Sequence, residues 1–172
     1  MKSTGIIRKI DDLGRIVIPK EIRKTLSIKD GEDIEIFIEE EMIILKKHHK
    51  LLGFKEKVDN LLNIFQKYIN GNIFVLDREK IITSTDKSFE NISISKNLLN
   101  MIEERKKVVN NENVLLDISN NYKINNKFIL SPIIINTDLL GAILIVFENP
   151  ITETDLLITT ILSTLIKFEM EN

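Results

Sequence analysis

The 172-residue chain contains no cysteine. Disulfides, a thiolate metal site and a cysteine nucleophile are therefore excluded, and a reducing compartment is consistent with that. Histidine is almost as scarce. Its two copies, His48 and His49, are neighbours, which argues against a multi-histidine metal cage and for a polar linker. Long apolar runs are also missing. The longest, Leu139 to Phe147, spans nine residues, whereas a membrane helix needs about 20. The amino terminus is polar and broken by Gly5, so no secretory signal is expected. The expectation is a cytoplasmic chain with no membrane partner. No Gly-rich phosphate loop, nucleophile elbow or His–carboxylate cluster is present. Ser131 precedes Pro132 inside a strand without a motif, and Asp77, Asp117 and Asp138 sit where turns favour aspartate. Neither enzymatic activity nor a cofactor is expected.

What the chain does have is unevenly placed charge. The overall charge is −2, which by itself does not suggest a polyanion partner. Residues 1–24, however, carry a net +4 from Lys2, Arg8, Lys9, Arg15, Lys20, Arg23 and Lys24 against Asp11, Asp12 and Glu21. Residues 25–45 carry a net −6, with Lys29 against Asp30, Glu32, Asp33, Glu35, Glu39, Glu40 and Glu41. One half of this segment is suited to face a polyanion and the other to repel it.

Patterning divides the chain in two. Gly5 to Ile10 and Arg15 to Ile18 read as strand, turn, strand around Asp11-Asp12 and Gly14. The continuous run Ile16-Val17-Ile18 is expected to be buried on both faces. Pro19 ends it and opens a short helix, in which Ile22 and Leu26 share a buried face. Ile34, Ile36 and Ile38 alternate with polar residues as a half-buried strand, paired with Met42 to Leu45 through a Glu39-Glu40-Glu41 turn that lacks the usual Gly or Asn. After a polar linker, Phe54, Val58, Leu61, Leu62, Phe65 and Ile69 make one helical stripe. Ile73–Leu76 and Lys80–Thr83 read as a hairpin, and Ser95–Val108 as a helix. The asparagine-rich residues 110–126 read as loop with a short strand at Val114–Ile118. Lys127–Ile135 and Leu139–Phe147 form the strongest strand pair, with Pro132 marking an edge or bulge. Thr152 and Asp155 resemble a capping box for a closing helix striped by Leu157, Ile158, Ile161, Leu162, Leu165 and Phe168.

Two domains are expected: a DNA-binding domain over 1–50, a linker over 51–55 and an α+β domain of antiparallel sheet and helices over 56–172. About fifty residues bury too little surface for a secure core. Without disulfides or metal, an interlocked dimer is the favoured remedy, with packing on the second domain as the competing one. A two-fold dimer would set two basic segments side by side on a long DNA site.

The phrase Thr4-Gly5-Ile6-Ile7-Arg8-Lys9-Ile10-Asp11-Asp12-Leu13-Gly14-Arg15-Ile16-Val17-Ile18-Pro19-Lys20-Glu21-Ile22-Arg23 closely resembles the AbrB-like swapped-hairpin DNA-binding domains, and the likeness runs through residues 1–50. The remainder has the element order of a GAF domain, carried by Ser131-Pro132-Ile133 followed by Leu139-Leu140-Gly141-Ala142-Ile143. The combination resembles regulators of forespore genes in endospore formers. It implies a DNA-binding transcription regulator, a homodimer through exchanged hairpins and a homotetramer through the GAF domains. Its DNA contacts fall on arginines matching Arg8, Arg15 and Arg23. Lys24 stands where arginine is usual, which keeps charge but loses the bidentate fork; Lys9 is an added phosphate partner. Gly14 and Pro19 are read as structural, shaping the loops that carry the arginines. Glu103-Glu104-Arg105-Lys106-Lys107 is read as a solvated helix end.

Three uses of the second domain stay open: a small-molecule sensor with an unidentified ligand, a purely structural tetramerisation module, or, in a different class, the tail of an antitoxin-type autoregulator. The helical and strand periodicity of residues 54–172 argues against the disordered tail usual in antitoxins.

Overall fold

A computed structural model describes residues 4–26, 28, 30–31 and 33–171. Lys2, Lys29 and Glu32, counted in the charge balance above, lie outside them. The chain divides into two compact units, Met1–His48 and His49–Asn172.

In the first unit, residues 4–19 have no regular secondary structure apart from a turn at residues 12–14. The turn is closed by Gly14 N–H donating to the Asp11 carbonyl at 2.9 Å and Asp11 N–H donating to the Arg15 carbonyl at 3.1 Å. Gly14 takes φ +75°, a conformation that costs glycine little. Helix α1 spans Lys20–Thr25, with Pro19 as its cap residue. Strands β1 (Ile34–Glu39) and β2 (Met42–Lys47) pair antiparallel, Ile36 opposite Leu45 and Glu39 opposite Met42. The turn between them is thus two residues long, and Glu40 occupies φ +51° without a glycine.

The expected strands at residues 5–10 and 15–18 are not formed in the single chain, and the expected buried faces are not buried. Ile7 is 87 % exposed, Val17 72 % and Ile38 81 %, and Leu26 is exposed as well. Among the described residues of this unit only Pro19 is buried. The physical reason is that strand pairing and burial both need a second surface, and one copy does not supply it. A peptide of residues 1–50 is expected to unfold at a midpoint that rises with peptide concentration. Circular dichroism melts over a dilution series measure this, and a concentration-independent midpoint would show a self-sufficient monomer.

The second unit begins with α2 (Lys50–Gly53) and α3 (Lys55–Phe65). Residues 51–55, expected as a linker, instead belong to this unit, with Leu51 buried in its core. Strands β3 (Gly71–Leu76), β4 (Ile81–Ser84), β5 (Val108–Ser119), β6 (Tyr122–Ile135) and β7 (Asp138–Phe147) form one antiparallel sheet in the order β4-β3-β7-β6-β5. A short 3-10 turn (Lys87–Phe89) and α4 (Lys96–Glu103) intervene, and α5 (Glu153–Glu171) closes the chain.

Helices cover both faces, so the central strands are apolar throughout. Ile73, Val75, Ile143, Ile145 and Phe147 face Val58 and Leu62 of α3 and Leu162 and Ile166 of α5. Phe74, Leu76, Ala142, Leu144 and Val146 face Leu98 and Ile102 of α4. Gly141 lies on β7 one residue beyond the Leu76–Ala142 pair that ends its ladder with β3: a Cβ there would run into the Leu76 carbonyl oxygen and come within 2.9 Å of Asp77 Cα. Backbone cannot yield as a side-chain tip can, so Gly141→Ala is expected to cost about 3 kcal/mol or more, read as a lowered urea midpoint. Wild-type stability would mean that β7 shifts freely.

Two expectations about this unit need correction. The strand expected at Val114–Ile118 forms, as part of β5, but the rest of residues 110–126 is not loop: apart from the turn at 120–121 it makes the paired arms of a long hairpin. Two of its asparagines bond to distant backbone: Asn111 Oδ1 accepts from Ile151 N–H at 2.7 Å, and Asn126 Nδ2 donates to the Phe147 carbonyl at 3.3 Å. β5 is a sheet edge: its residues 110–113 are polar, whereas Leu116 and Ile118 reach the core on the α4 side. The helix expected to reach Val108 stops at Glu103, because Arg105 turns the chain at φ +57° and donates to the Thr137 carbonyl at 2.7 Å.

Other expectations hold. Thr152 and Asp155 form the reciprocal cap, with Thr152 N–H donating to Asp155 Oδ2 at 2.8 Å and Asp155 N–H to Thr152 Oγ1 at 3.2 Å. Pro132 lies where β6 has run past its pairing with β5, next to a register shift after Ile133. A charge network ties α3 to β4 and the 3-10 turn: Lys55 and Lys87 each reach both Asp59 and Glu90. Burial would raise the Asp59 carboxyl, but hydrogen bonds from Lys87, Thr83 and Lys55 outweigh it and hold it below the usual range.

Candidate nucleic-acid interface

The five cations expected to meet DNA all lie in the first unit, on the irregular segment and on α1. Arg8 and Lys9 precede the turn. Arg15 follows it immediately, and Arg23 and Lys24 occupy the last turn of α1. The continuous backbone through Pro19 joins these positions: Arg23 N–H donates to the Pro19 carbonyl at 2.9 Å.

Two of the five are held by carboxylates. Arg15 Nε donates to Asp11 Oδ2 at 2.7 Å, while the arginine side chain stays 70 % exposed. Arg23 Nη1 donates to Asp30 Oδ1 at 2.6 Å, and its Nε is buried without a hydrogen-bond partner. Among the described residues Arg8 is fastened only locally, Nη1 donating to the Ile7 carbonyl at 3.3 Å. Lys9 and Lys24 are exposed.

Asp11 does more than pair with Arg15. Its Oδ1 accepts backbone N–H groups from Leu13 at 3.0 Å and Arg15 at 2.8 Å. The backbone bond from Arg15, followed by the side-chain bond from the same residue, holds the Asp11 carboxyl below the usual carboxylate range. Neither Asp11 nor Asp30 was singled out as a site residue from the sequence. There they counted only as charge or as turn formers. The legible signal was the Asp–Arg spacing of four residues across a glycine turn.

The acidic half of the unit is partly neutralised within its own hairpin. Glu35 lies opposite Lys46 in the ladder, His48 Nδ1 approaches Glu35 at 3.5 Å, and Lys46 Nζ sits 4.9 Å from the Phe37 ring centroid. His49 belongs to the second unit, where Nδ1 lies 2.9 Å from Asp77 Oδ2. Asp77 Oδ1 meanwhile accepts the Glu79 and Lys80 N–H groups. Each histidine thus has its own carboxylate. Among the described residues no group of three or more His, Cys, Asp or Glu is placed to hold a metal, and no helix is long and apolar enough to cross a membrane.

The second unit offers two further surfaces. On the α4 side the sheet is covered by the protein's own rings: Phe74 and Phe89 meet edge-on at 5.4 Å, and Phe89 and Tyr122 at 4.6 Å. On α5, Leu162 and Ile166 point inward, whereas Leu157, Ile161, Leu165 and Phe168 are exposed. The stripe read from the sequence is therefore split between an inner and an outer face.

Comparison with known proteins places both units. Residues 54–170 match the family described as Stage V sporulation protein T C-terminal, transcription factor. Residues 7–51 match that of antidote-toxin recognition MazE, bacterial antitoxin. The chain is 34 % identical over 150 residues to the Stage V sporulation protein T of Bacillus subtilis, covering 84 % of each chain. It is 58 % identical over 48 residues to the transition state regulatory protein AbrB of the same organism, covering 28 % of this chain and 50 % of that one. In fold, it resembles the GAF domain of a GAF/HD domain protein from Geobacter sulfurreducens, with a TM-score of 0.52 at 14 % identity, covering 68 % of this chain and 91 % of that one. The expected fold class stands: a β-rich, swapped-hairpin type first domain and an antiparallel α+β second domain of GAF type.

Proposed function

Since the chain belongs to the Stage V sporulation protein T family of transcription factors, we propose that it regulates sporulation genes by binding double-stranded DNA as an oligomer. Two first units exchange hairpins to form one DNA-reading dimer. Arg8, Arg15 and Arg23 supply the contacts of which some reach base edges, while Lys9 and Lys24 neutralise phosphate. The observation that carries this is the first unit itself. It gathers a net +4 in residues 1–24 on a segment that leaves its apolar residues uncovered in one chain. A partner that buries those residues also doubles the cationic surface.

The second domain joins dimers into a tetramer through the outer face of α5, raising avidity for long sites. It acts without catalysis. A small-molecule sensing role requires a ligand that prefers one DNA-binding state. The side chains filling the α4 face favour the assembly role. The place of action is the cytoplasmic nucleoid, in the forespore of an endospore former.

Selection of duplexes from a random-sequence pool by the full chain, followed by mobility-shift titration, tests this reading. A selected duplex should bind far more tightly than the pool, with affinity falling steeply as salt rises. Absence of any enrichment would remove the reading. The match of residues 7–51 to an antitoxin family supports a second one, an autoregulator that also neutralises a toxin. The folded second unit stands against it, and a toxin co-purifying with the chain from its native host would revive it.

A further inference from the structure

We propose that Asp11 is a positioning residue for sequence reading, folding the Gly14 turn with one carboxylate oxygen and aiming the Arg15 guanidinium with the other. The proposal deepens the DNA-binding reading above and rests on it. Both oxygens are committed. Oδ1 accepts the Leu13 and Arg15 N–H groups at 3.0 and 2.8 Å, and Oδ2 accepts Arg15 Nε at 2.7 Å. The same residue is bonded through its own backbone, N–H to the Arg15 carbonyl and carbonyl to the Gly14 N–H. Backbone and side chain of Arg15 are thus referred to a single residue.

The way Arg15 is held matters for what it can do. A guanidinium has a fixed fork of donors. Pinning Nε directs the Nη1 and Nη2 end away from the carboxylate, and among the described residues that end makes no hydrogen bond. Two parallel N–H donors at the exposed tip are what a guanine edge takes in the major groove. A long, free arginine would otherwise lose rotamer freedom on reaching a base, and here part of that ordering is done before DNA arrives.

Electrostatics alone gives no reason for an anion in this place. A carboxylate beside a cation meant for phosphate weakens the attraction that supplies non-specific affinity. Asp12 supplies the matched comparison. It carries the same charge one residue on, and among the described residues it makes no hydrogen bond or ion pair. Removing either charge should strengthen binding to random DNA by a similar factor. Only removing Asp11 should spoil discrimination.

The experiment compares wild type, Asp11→Asn and Asp12→Asn as full chains, at one salt concentration, on a duplex selected by the wild type and on the random pool. Asparagine keeps an oxygen able to accept the Leu13 and Arg15 N–H groups, so the turn survives, and unchanged melting temperature verifies it. The expected result is that the ratio of selected to random affinity falls in Asp11→Asn by about 5- to 100-fold for each of the dimer's two Arg15 contacts that is lost, and stays at the wild-type value in Asp12→Asn. In addition, Asp11→Asn combined with Arg15→Ala should discriminate no worse than Arg15→Ala alone, because the aspartate acts through the arginine. An unchanged ratio in Asp11→Asn, or an equal fall in both aspartate variants, overturns the proposal. Failure of the wild type to select any duplex removes the DNA-binding reading itself, and this proposal with it.

Discussion

Arg15→Ala is expected to weaken binding to a selected DNA site by roughly 30-fold or more, with the protein still folded. The magnitude follows from the assembly. A good bidentate base contact contributes about 1–3 kcal/mol of discrimination, a two-fold dimer presents the contact twice, and distant contacts add to a first approximation. The arginine is exposed and its ion pair with Asp11 lies at the surface, where such pairs contribute little to stability. Loss of affinity should therefore come without loss of melting temperature. Arg15→Lys separates the two ways the residue can act. If Arg15 reads a base, lysine restores affinity for random DNA but not selectivity, because it lacks the planar fork. If Arg15 meets only phosphate, lysine restores both, and the salt slope differs from that of Arg15→Ala by about one counterion per contact. Wild-type affinity in Arg15→Ala, measured by mobility shift at fixed salt, would refute the assignment.

A second large effect is expected on the opposite half of the chain. Ile161→Glu combined with Leu165→Glu places two charges on the outer face of α5, where both side chains are exposed in the single chain. The inner contacts of the helix, Leu162 and Ile166, are untouched, so the second unit should fold normally. If that face joins dimers, sedimentation should show half the wild-type mass. Binding to a DNA site long enough for two dimers should weaken by about a hundredfold or more, the loss of a tethered second interaction, while binding to a single half-site changes little. An unchanged mass would mean that assembly uses another surface. A halved mass with undiminished affinity for the long site would mean that assembly serves something other than avidity.

Much of the second unit was legible because its strands obey simple rules. β3 and β7 are buried on both faces and read as apolar runs; Thr152 and Asp155 mark the start of α5 by chemistry that is local to four residues. The long β5–β6 hairpin was hidden by asparagines such as Asn111 and Asn126. Asparagine is a turn former by reputation, and its bonds here go to distant backbone that no window of sequence contains. α4 was read too long because nothing marks Arg105 as the residue that takes a positive φ. In the first unit the obstacle was different. The strands expected around Gly14 are not formed in the single chain; under the proposed exchange of hairpins their pairing needs a second chain. The cations were legible from their clustering and from the family phrase. Their carboxylate partners were not, since an acidic residue amid basic ones reads as diluted charge until Asp11 is seen bonded on both oxygens.

The uncovered first unit also bears on how the regulator responds to its own synthesis. If the DNA-reading half is completed by exchange between two chains, as proposed, a chain that has not met a partner lacks that half and presents its exposed apolar segments to proteases. Young or scarce molecules are then open to clearance, and the active form accumulates with roughly the square of chain number while chains are few. Output would stay near zero through slow leakage of the gene and climb abruptly once translation outpaces turnover. A regulator built this way carries a threshold in its fold, with no second gene needed to set one.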